Sequence, residues 1–219
     1  MLLNIFVSYN GAIIRGLSTT LIICGSAWFL GILGGIILGY IAQRNKAFAK
    51  ILTTSSFLLL SIPVLVLLYW FHYPAQAMLS VTINPIITTI ATLSIINIVL
   101  TAELVKKAMD NFPLQYVTAA RVCGLSENKI FYKIKFPILF RQILPGLITL
   151  QVTIMHMSLF GSLISVEEIF RVSQQINSQI YRPIEIYTAL AFLFIAVSLP
   201  LNVFAHYLKK RYTRDLSEK

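Results

Sequence analysis

The placement of charge limits this chain more than any other feature. Leu17 to Ile41 contains no Asp, Glu, Lys or Arg. An apolar stretch of ~20 residues crosses the hydrocarbon core of a bilayer as a helix, so one span is expected here. Ile51 to Ala102 also lacks these residues. At ~1.5 Å per residue it would reach roughly 78 Å as a single helix, far beyond one crossing. It must fold back. His72, Tyr73, Pro74, Gln76, Asn84 and Pro85 mark the turn, with Tyr69, Trp70 and Phe71 just before it. Aromatic residues and proline turns belong at the membrane interface. Spans are therefore expected over residues 17–41, 51–71, 85–102, 142–166 and 186–208. The expected fold is all-α: a polytopic membrane protein of about five transmembrane helices, one domain over residues 1–219.

Of the 219 residues, 57% are hydrophobic and 12% charged, whereas soluble domains carry about 25% charged residues. The net charge of +10 would suit nucleic acid if it formed a patch, but the cations fall in bands between apolar runs, which excludes that class. The first band is Arg44, Lys46 and Lys50. The second is Lys106, Lys107, Arg121, Lys129, Lys133, Lys135 and Arg141, and the third is Lys209, Lys210, Arg211, Arg214 and Lys219. Only Arg15, Arg171 and Arg182 remain for the other side. The positive-inside rule then predicts an outside N-terminus and a cytoplasmic C-terminus.

Arg15 ahead of an apolar run, with Ala47-Phe48-Ala49 after it, imitates a secretory signal. The run is longer than the usual ~7–15 residues, and cations flank the apparent cleavage site, so a retained first span is expected. Cys24 lies in an apolar run and Cys123 in a charged one, which predicts two unpaired thiols. Gly25, Gly31, Gly34, Gly35 and Gly39 allow close helix approach, either within the chain or at a subunit interface.

The segment 106–141 is too organised for a tether. Pro113 and Gly124 bracket a helix from about Pro113 to Cys123. Ser126 is placed to cap a second helix, with Glu127 in its first turn. Ile130, Phe131 and Ile134 form an apolar stripe there, and Pro137 is expected to break or bend the helix before the fourth span.

Within this segment, Thr118-Ala119-Ala120 is followed after three residues by Gly124, and after nine more by Ile134-Lys135-Phe136-Pro137. This resembles the Glu-Ala-Ala-x3-Gly-x9-Ile-x-Leu-Pro motif of permease subunits of bacterial ABC importers. Spacing is retained; Thr118 replaces Glu and Phe136 replaces Leu. Gly16-x3-Thr20-Leu21, Ala102-Glu103 with Lys106, Glu168-Ile169-x-Arg171 and Arg182-Pro183-x-Glu185-x-Tyr187 resemble the polar amino-acid, histidine/glutamine-type branch. The likeness covers about residues 16 to 208.

The resemblance implies a bacterial inner-membrane permease for a small polar solute, most simply an amino acid. It implies that Thr118, Ala119, Ala120, Gly124, Ile134 and Pro137 couple the spans to a separate cytoplasmic ABC ATPase dimer, where ATP is bound. A second permease copy or homologue and a periplasmic or lipid-anchored solute-binding protein are the other implied partners, beside membrane lipid. The absence of a G-x-x-x-x-G-K-[ST] loop fits the expectation of no enzyme activity and no cofactor in this chain.

Two departures concern the solute path: Leu60-Ser61-Ile62-Pro63 stands where the family often has Arg-Gly-Thr-Pro, and Met155-His156-Met157-Ser158-Leu159 where it often has Lys-Asp-Thr-Ser-Leu. Candidate path residues are Ser61, Asn97, His156 and Ser158. His156 is ionisable within a span, which points to function, although an imidazole hydrogen-bonded to a neighbouring helix is equally consistent with the sequence. Glu103 is expected to pair with Lys106 or Lys107. A different small solute remains an open alternative. A stand-alone secondary transporter would need inverted repeats, which are not evident. A membrane enzyme would need clustered catalytic groups, but His72, His156 and His206 are scattered and no metal-ligand cluster stands out.

Overall fold

The computed structural model describes residues 7–214, and these form helices and turns with no strand among them. The first six residues and Lys219, one of the tail cations, lie outside the described residues. Glycine sets the central packing. Helix α1 (Asn10–Arg44) lies against α5 (Pro85–Asp110). A Cβ added at Gly31 would overlap the Asn97 side chain, at Gly34 it would lie 2.9 Å from Ile98, and at Gly39 it would lie 2.7 Å from the Ala102 carbonyl. The paired positions climb together, so α1 and α5 are parallel. Gly31, Gly34, Gly35 and Gly39 thus serve packing within the chain, and Gly25 does not.

Helix α8 (Phe136–Met157) runs the other way across this pair. Gly146 meets Leu104, Gln151 meets Asn97, and Cys24 donates to Ser158 at 3.5 Å. Helix α10 (Pro183–Arg214) returns beside α8, with Phe194 against His156 and Tyr212 beneath the Arg141 guanidinium. This register gathers Arg44, Asp110, Arg141 and Tyr212 at one end of the bundle. The three basic bands therefore share an end. The main apolar core lies midway, where Ile23, Ala27, Leu68, Leu93, Ile96 and Ile154 meet.

Among the described residues four helices are long and apolar enough to cross a membrane, and a bent pair, taken as one span, makes a fifth. That pair corrects the expected straight span over 51–71. Helix α2 (Lys46–Ser61) stops, and α3 (Val64–His72) with α4 (Pro74–Met78) leaves at 93°. Pro63 has no N–H to continue the ladder, and it forces Ile62 into an extended conformation (φ −94°, ψ 128°). The predicted turn follows α3. Gln76 fastens it, donating to Thr88 at 3.0 Å and accepting from the Ile83 N–H at 2.8 Å.

Of the break or bend expected at Pro137, the break does not occur. Residues Glu127–Ile164 form one helical run. Phe131–Lys135 widens to a π-helical turn whose closing bond joins the Phe136 N–H to the Phe131 carbonyl. The wider turn accommodates the N–H that Pro137 lacks, so proline is absorbed rather than followed by a break. Ser126 also departs from expectation, making no side-chain cap. A reciprocal capping box needs Glu or Gln three residues on, and that position is Lys129. Glu103 pairs with Lys107 at 3.7 Å, whereas Lys106 turns to Asp110 at 2.8 Å.

Gly31→Ala is expected to lower the thermal midpoint of the detergent-solubilised protein by several degrees, since an overpacked site costs about 1–3 kcal/mol. Gly25→Ala, where a Cβ meets nothing within 4 Å, should leave it unchanged or slightly raised. Unfolding monitored by tryptophan fluorescence distinguishes the pair.

Candidate coupling surface and solute path

The segment after α5 builds a small core of its own. Helix α6 (Leu114–Val122) is flanked by Pro113 and Cys123, one residue inside the expected limits at each end. Gly124 adopts φ +75°, the left-handed conformation that glycine takes without a Cβ penalty. The Leu125 N–H bonds the Ala120 carbonyl at 3.1 Å and the Gly124 N–H bonds the Arg121 carbonyl at 2.9 Å. Together these form a Schellman cap. Helix α7 (Glu127–Ile130) then folds back, and Phe112, Val117, Ala120 and Ile130 are buried together with Leu125 and Ile134 against them.

The motif residues thus divide between two tasks. Ala120 and Ile134 face the small core, while Thr118, Ala119 and Gly124 are exposed. Pro137 sits within the start of α8. The Thr118 hydroxyl donates to the Leu114 carbonyl at 3.2 Å, so it returns its proton to its own helix. Beside it, Arg121 and Glu127 pair at 2.6 Å, and the guanidinium holds the Glu127 carboxyl below its ordinary range. Leu114 and Val122 stand out into solvent, 74% and 85% exposed, on a surface helix that no other described residue covers at these positions.

The four candidate path residues fall into two sorts. Asn97 and Ser158 are fully buried between helices. Asn97 donates to the Ala27 carbonyl and to Gln151 Oε1, both at 2.9 Å, and accepts from Gln151 Nε2 and Thr101 at 3.2 Å. Ser158 donates to the Met155 carbonyl at 2.8 Å. Ser61 and His156 are exposed. Ser61 closes α2, donating to Phe57 at 2.6 Å just before the break. His156 makes an edge contact with the Phe194 ring at 6.0 Å and no hydrogen bond among the described residues. Thr153 and Thr149 lie on the same exposed face of α8, one and two turns below it.

Two positioning residues were not singled out from the sequence: Gln151 and Trp28, which donates to the Gln151 carbonyl at 3.0 Å. An amide inside an apolar helix was the available signal for Gln151.

At the end opposite the basic bands, two separated sequence fragments meet. The Ile169 N–H donates to Thr20 Oγ1 at 3.1 Å, and a Cβ at Gly16 would press 2.9 Å from Val172. Glu168, fully buried, caps α9 (Ile169–Ile180) by accepting from the Phe170 and Arg171 N–H groups at 2.8 and 2.7 Å.

The family described as the inner membrane component of binding-protein-dependent transport systems matches residues 31–214. The chain belongs to this family. It is 24% identical over 216 residues to the histidine/lysine/arginine/ornithine transport system permease protein HisQ of Salmonella typhimurium, covering 94% of this chain and 95% of that protein. It is 23% identical over 180 residues to the arginine ABC transporter permease protein ArtQ of Haemophilus influenzae, covering 80% and 81%. The fold matches a solved amino acid ABC transporter with histidines at a TM-score of 0.81 and 21% identity, covering 94% of this chain and 96% of that one.

In this inner-membrane family member, the junction of α1 with α9 carries an acid in an unusual state. Burial pushes the Glu168 carboxyl up from 4.5 to about 7, against the opposing pull of its two backbone donors. The folded chain therefore holds a proton there that the unfolded chain releases between about pH 4.5 and 7. Stability from this group is fully present below pH 4.5 and falls as pH rises to about 7. Glu168→Gln should flatten that slope in thermal midpoints measured from pH 5 to 8.

Proposed function

We propose that this chain is the permease subunit of an ATP-driven importer for a small polar solute, most simply an amino acid. The carrying observation is the capped helix α6, which presents exposed Leu114 and Val122 beside Thr118 and Ala119 at the end holding the basic bands. An apolar, structured, exposed surface of this kind suits a protein partner. The names of HisQ and ArtQ support both the permease role and the amino-acid class. In this reading the basic end is cytoplasmic and the N-terminus lies outside. Segment 106–141 docks on a separate ATPase dimer that binds ATP, a second permease copy or homologue completes the pathway, and a binding protein delivers the solute. The exposed Thr149, Thr153 and His156 face contributes this chain's share of that pathway.

Gly124 tests the docking surface cleanly, because a Cβ there meets no atom of the chain within 4 Å and only the φ of +75° opposes it. Gly124→Val should fray the cap, at about 1–2 kcal/mol or more, and reduce co-purification of the cognate ATPase several-fold. Gly124→Asn, which tolerates this conformation, should retain it. Equal recovery of ATPase with both variants would remove the docking role.

The pathway face is tested by water access. In a chain with Cys24→Ala and Cys123→Ser, Thr153→Cys should react with a membrane-impermeant thiol reagent in nanodiscs, whereas Phe192→Cys on the exposed apolar side of α10 should not. An inert Thr153→Cys would place that face in lipid.

A further inference from the structure

At the end carrying the basic bands, α8 and α10 separate to leave a cavity of about 780 Å³. Its polar lining includes Arg141, Lys209, Gln142, Thr153, Asn202 and His206. The described lining residues include no carboxylate. Positive-inside topology accounts for cations at this end, but it does not account for a guanidinium set over a ring with amides and an imidazole gathered around one cleft. Three cations at the same end have carboxylate partners: Lys106 with Asp110, Lys107 with Glu103, and Arg121 with Glu127. Arg141 is not one of them. Among the described residues it has no carboxylate partner, and its guanidinium lies 6.0 Å over the Tyr212 ring.

That arrangement prepares the group for an anion. Packing a guanidinium face on an aromatic ring restrains its plane and leaves its N–H edge available. The edge is a planar fork suited to two oxygens of a carboxylate or phosphate. Amide donors from Gln142 and Asn202 line the same space, and the His206 imidazole offers a further ring nitrogen.

We propose that this cleft is an anion-binding site, with Arg141 as its principal ligand, for one carboxylate or phosphate group. Two sources share that chemistry. One is the carboxylate of a transported solute, received where the polar face of α8 reaches the basic end; this source rests on the pathway reading above. The other is the headgroup of an anionic phospholipid, because basic clefts between spans on the cytoplasmic side suit such headgroups.

The test places a thiol in the cleft, using full-length chain with Cys24→Ala, Cys123→Ser and Asn202→Cys in phosphatidylcholine nanodiscs. Rates of modification by an anionic and a cationic methanethiosulfonate are compared, each normalised to free cysteine. The anionic reagent should be favoured about tenfold, the scale on which a charged cleft concentrates a counter-ion. Arg141→Gln should cut that preference several-fold, with Lys209 still in the lining, and Arg141→Lys should largely keep it, which separates loss of charge from loss of fold. Slowing of the anionic reagent by glutamate, beyond choline chloride of equal ionic strength, assigns the site to a solute carboxylate. Slowing by phosphatidylglycerol in the discs, with glutamate inert, assigns it to lipid phosphate. Absence of charge preference, or a preference unchanged in Arg141→Gln, overturns the proposal. An inert Thr153→Cys beside an anion-preferring cleft would remove the pathway reading and leave this site standing.

Discussion

The buried amide pair Asn97–Gln151 is the constraint on which the rest of the bundle depends. An amide within an apolar bundle has no water to bond, and leaving its donors or acceptors empty costs several kcal/mol. Asn97 meets this by bonding three elements at once: the Ala27 carbonyl on α1, Thr101 on its own helix and the Gln151 side chain on α8. Each bond fixes a height as well as a contact. If α8 slid by one residue along α5, the reciprocal amide bonds would open, and the Trp28 bond to the Gln151 carbonyl would open too. Gly31 follows from the same fact, because the Asn97 side chain occupies the space a Cβ would need. The glycine stripe and the amide pair are two halves of one packing solution. Small residues bring the backbones together, and the polar pair sets their register.

From that fixed core a single helical run, Glu127–Ile164, extends into the exposed connector. Its winding is not uniform. The π-helical turn at Phe131–Lys135 sits between the small core around Ile130 and the bundle proper. In the proposed role this placement matters, because a displacement of α6 against a partner reaches α8 through that turn and then through the contacts of Ile134 and Leu139. The Schellman cap at Gly124 keeps α6 from fraying where such a displacement would be applied.

Much of this was legible in the sequence because lipid makes charge placement simple. The uncharged stretches gave the long helices, and Pro113 and Gly124 bracketed α6 to within a residue at each end. Two prolines were harder to read. At Pro63 the preceding Ile62 became extended and the helix turned by 93°, whereas at Pro137 a widened turn kept the helical run intact. A proline states that one N–H is missing, and the surrounding packing decides how the gap is met. Long-range partners were hidden for a related reason. Gly16, Thr20, Glu168 and Ile169 were visible as two fragments, but their meeting across α1 and α9 depends on tertiary register, which local patterns do not encode. Gln151 was equally visible as a residue and equally silent about Asn97.

The polar groups of the bundle finally sort by whether they are satisfied. Asn97, Gln151, Thr101 and Thr92 bond inside it, and Thr149 and Thr153 turn their hydroxyls back to their own helix. Among the described residues the buried Ser94 hydroxyl finds no partner, and His156 and Arg141, on and below the α8 face, have aromatic contacts in place of hydrogen bonds. An imidazole left without a partner toward hydrocarbon is costly, so the face that carries it is stable only against water or a complementary protein surface. Lipid suits the opposite character, which α10 shows at Phe192, Ile195, Leu199 and Val203. One protomer therefore presents two unlike surfaces, one suited to lipid and one left incomplete. The incomplete one is where a second permease subunit would add its half of the path.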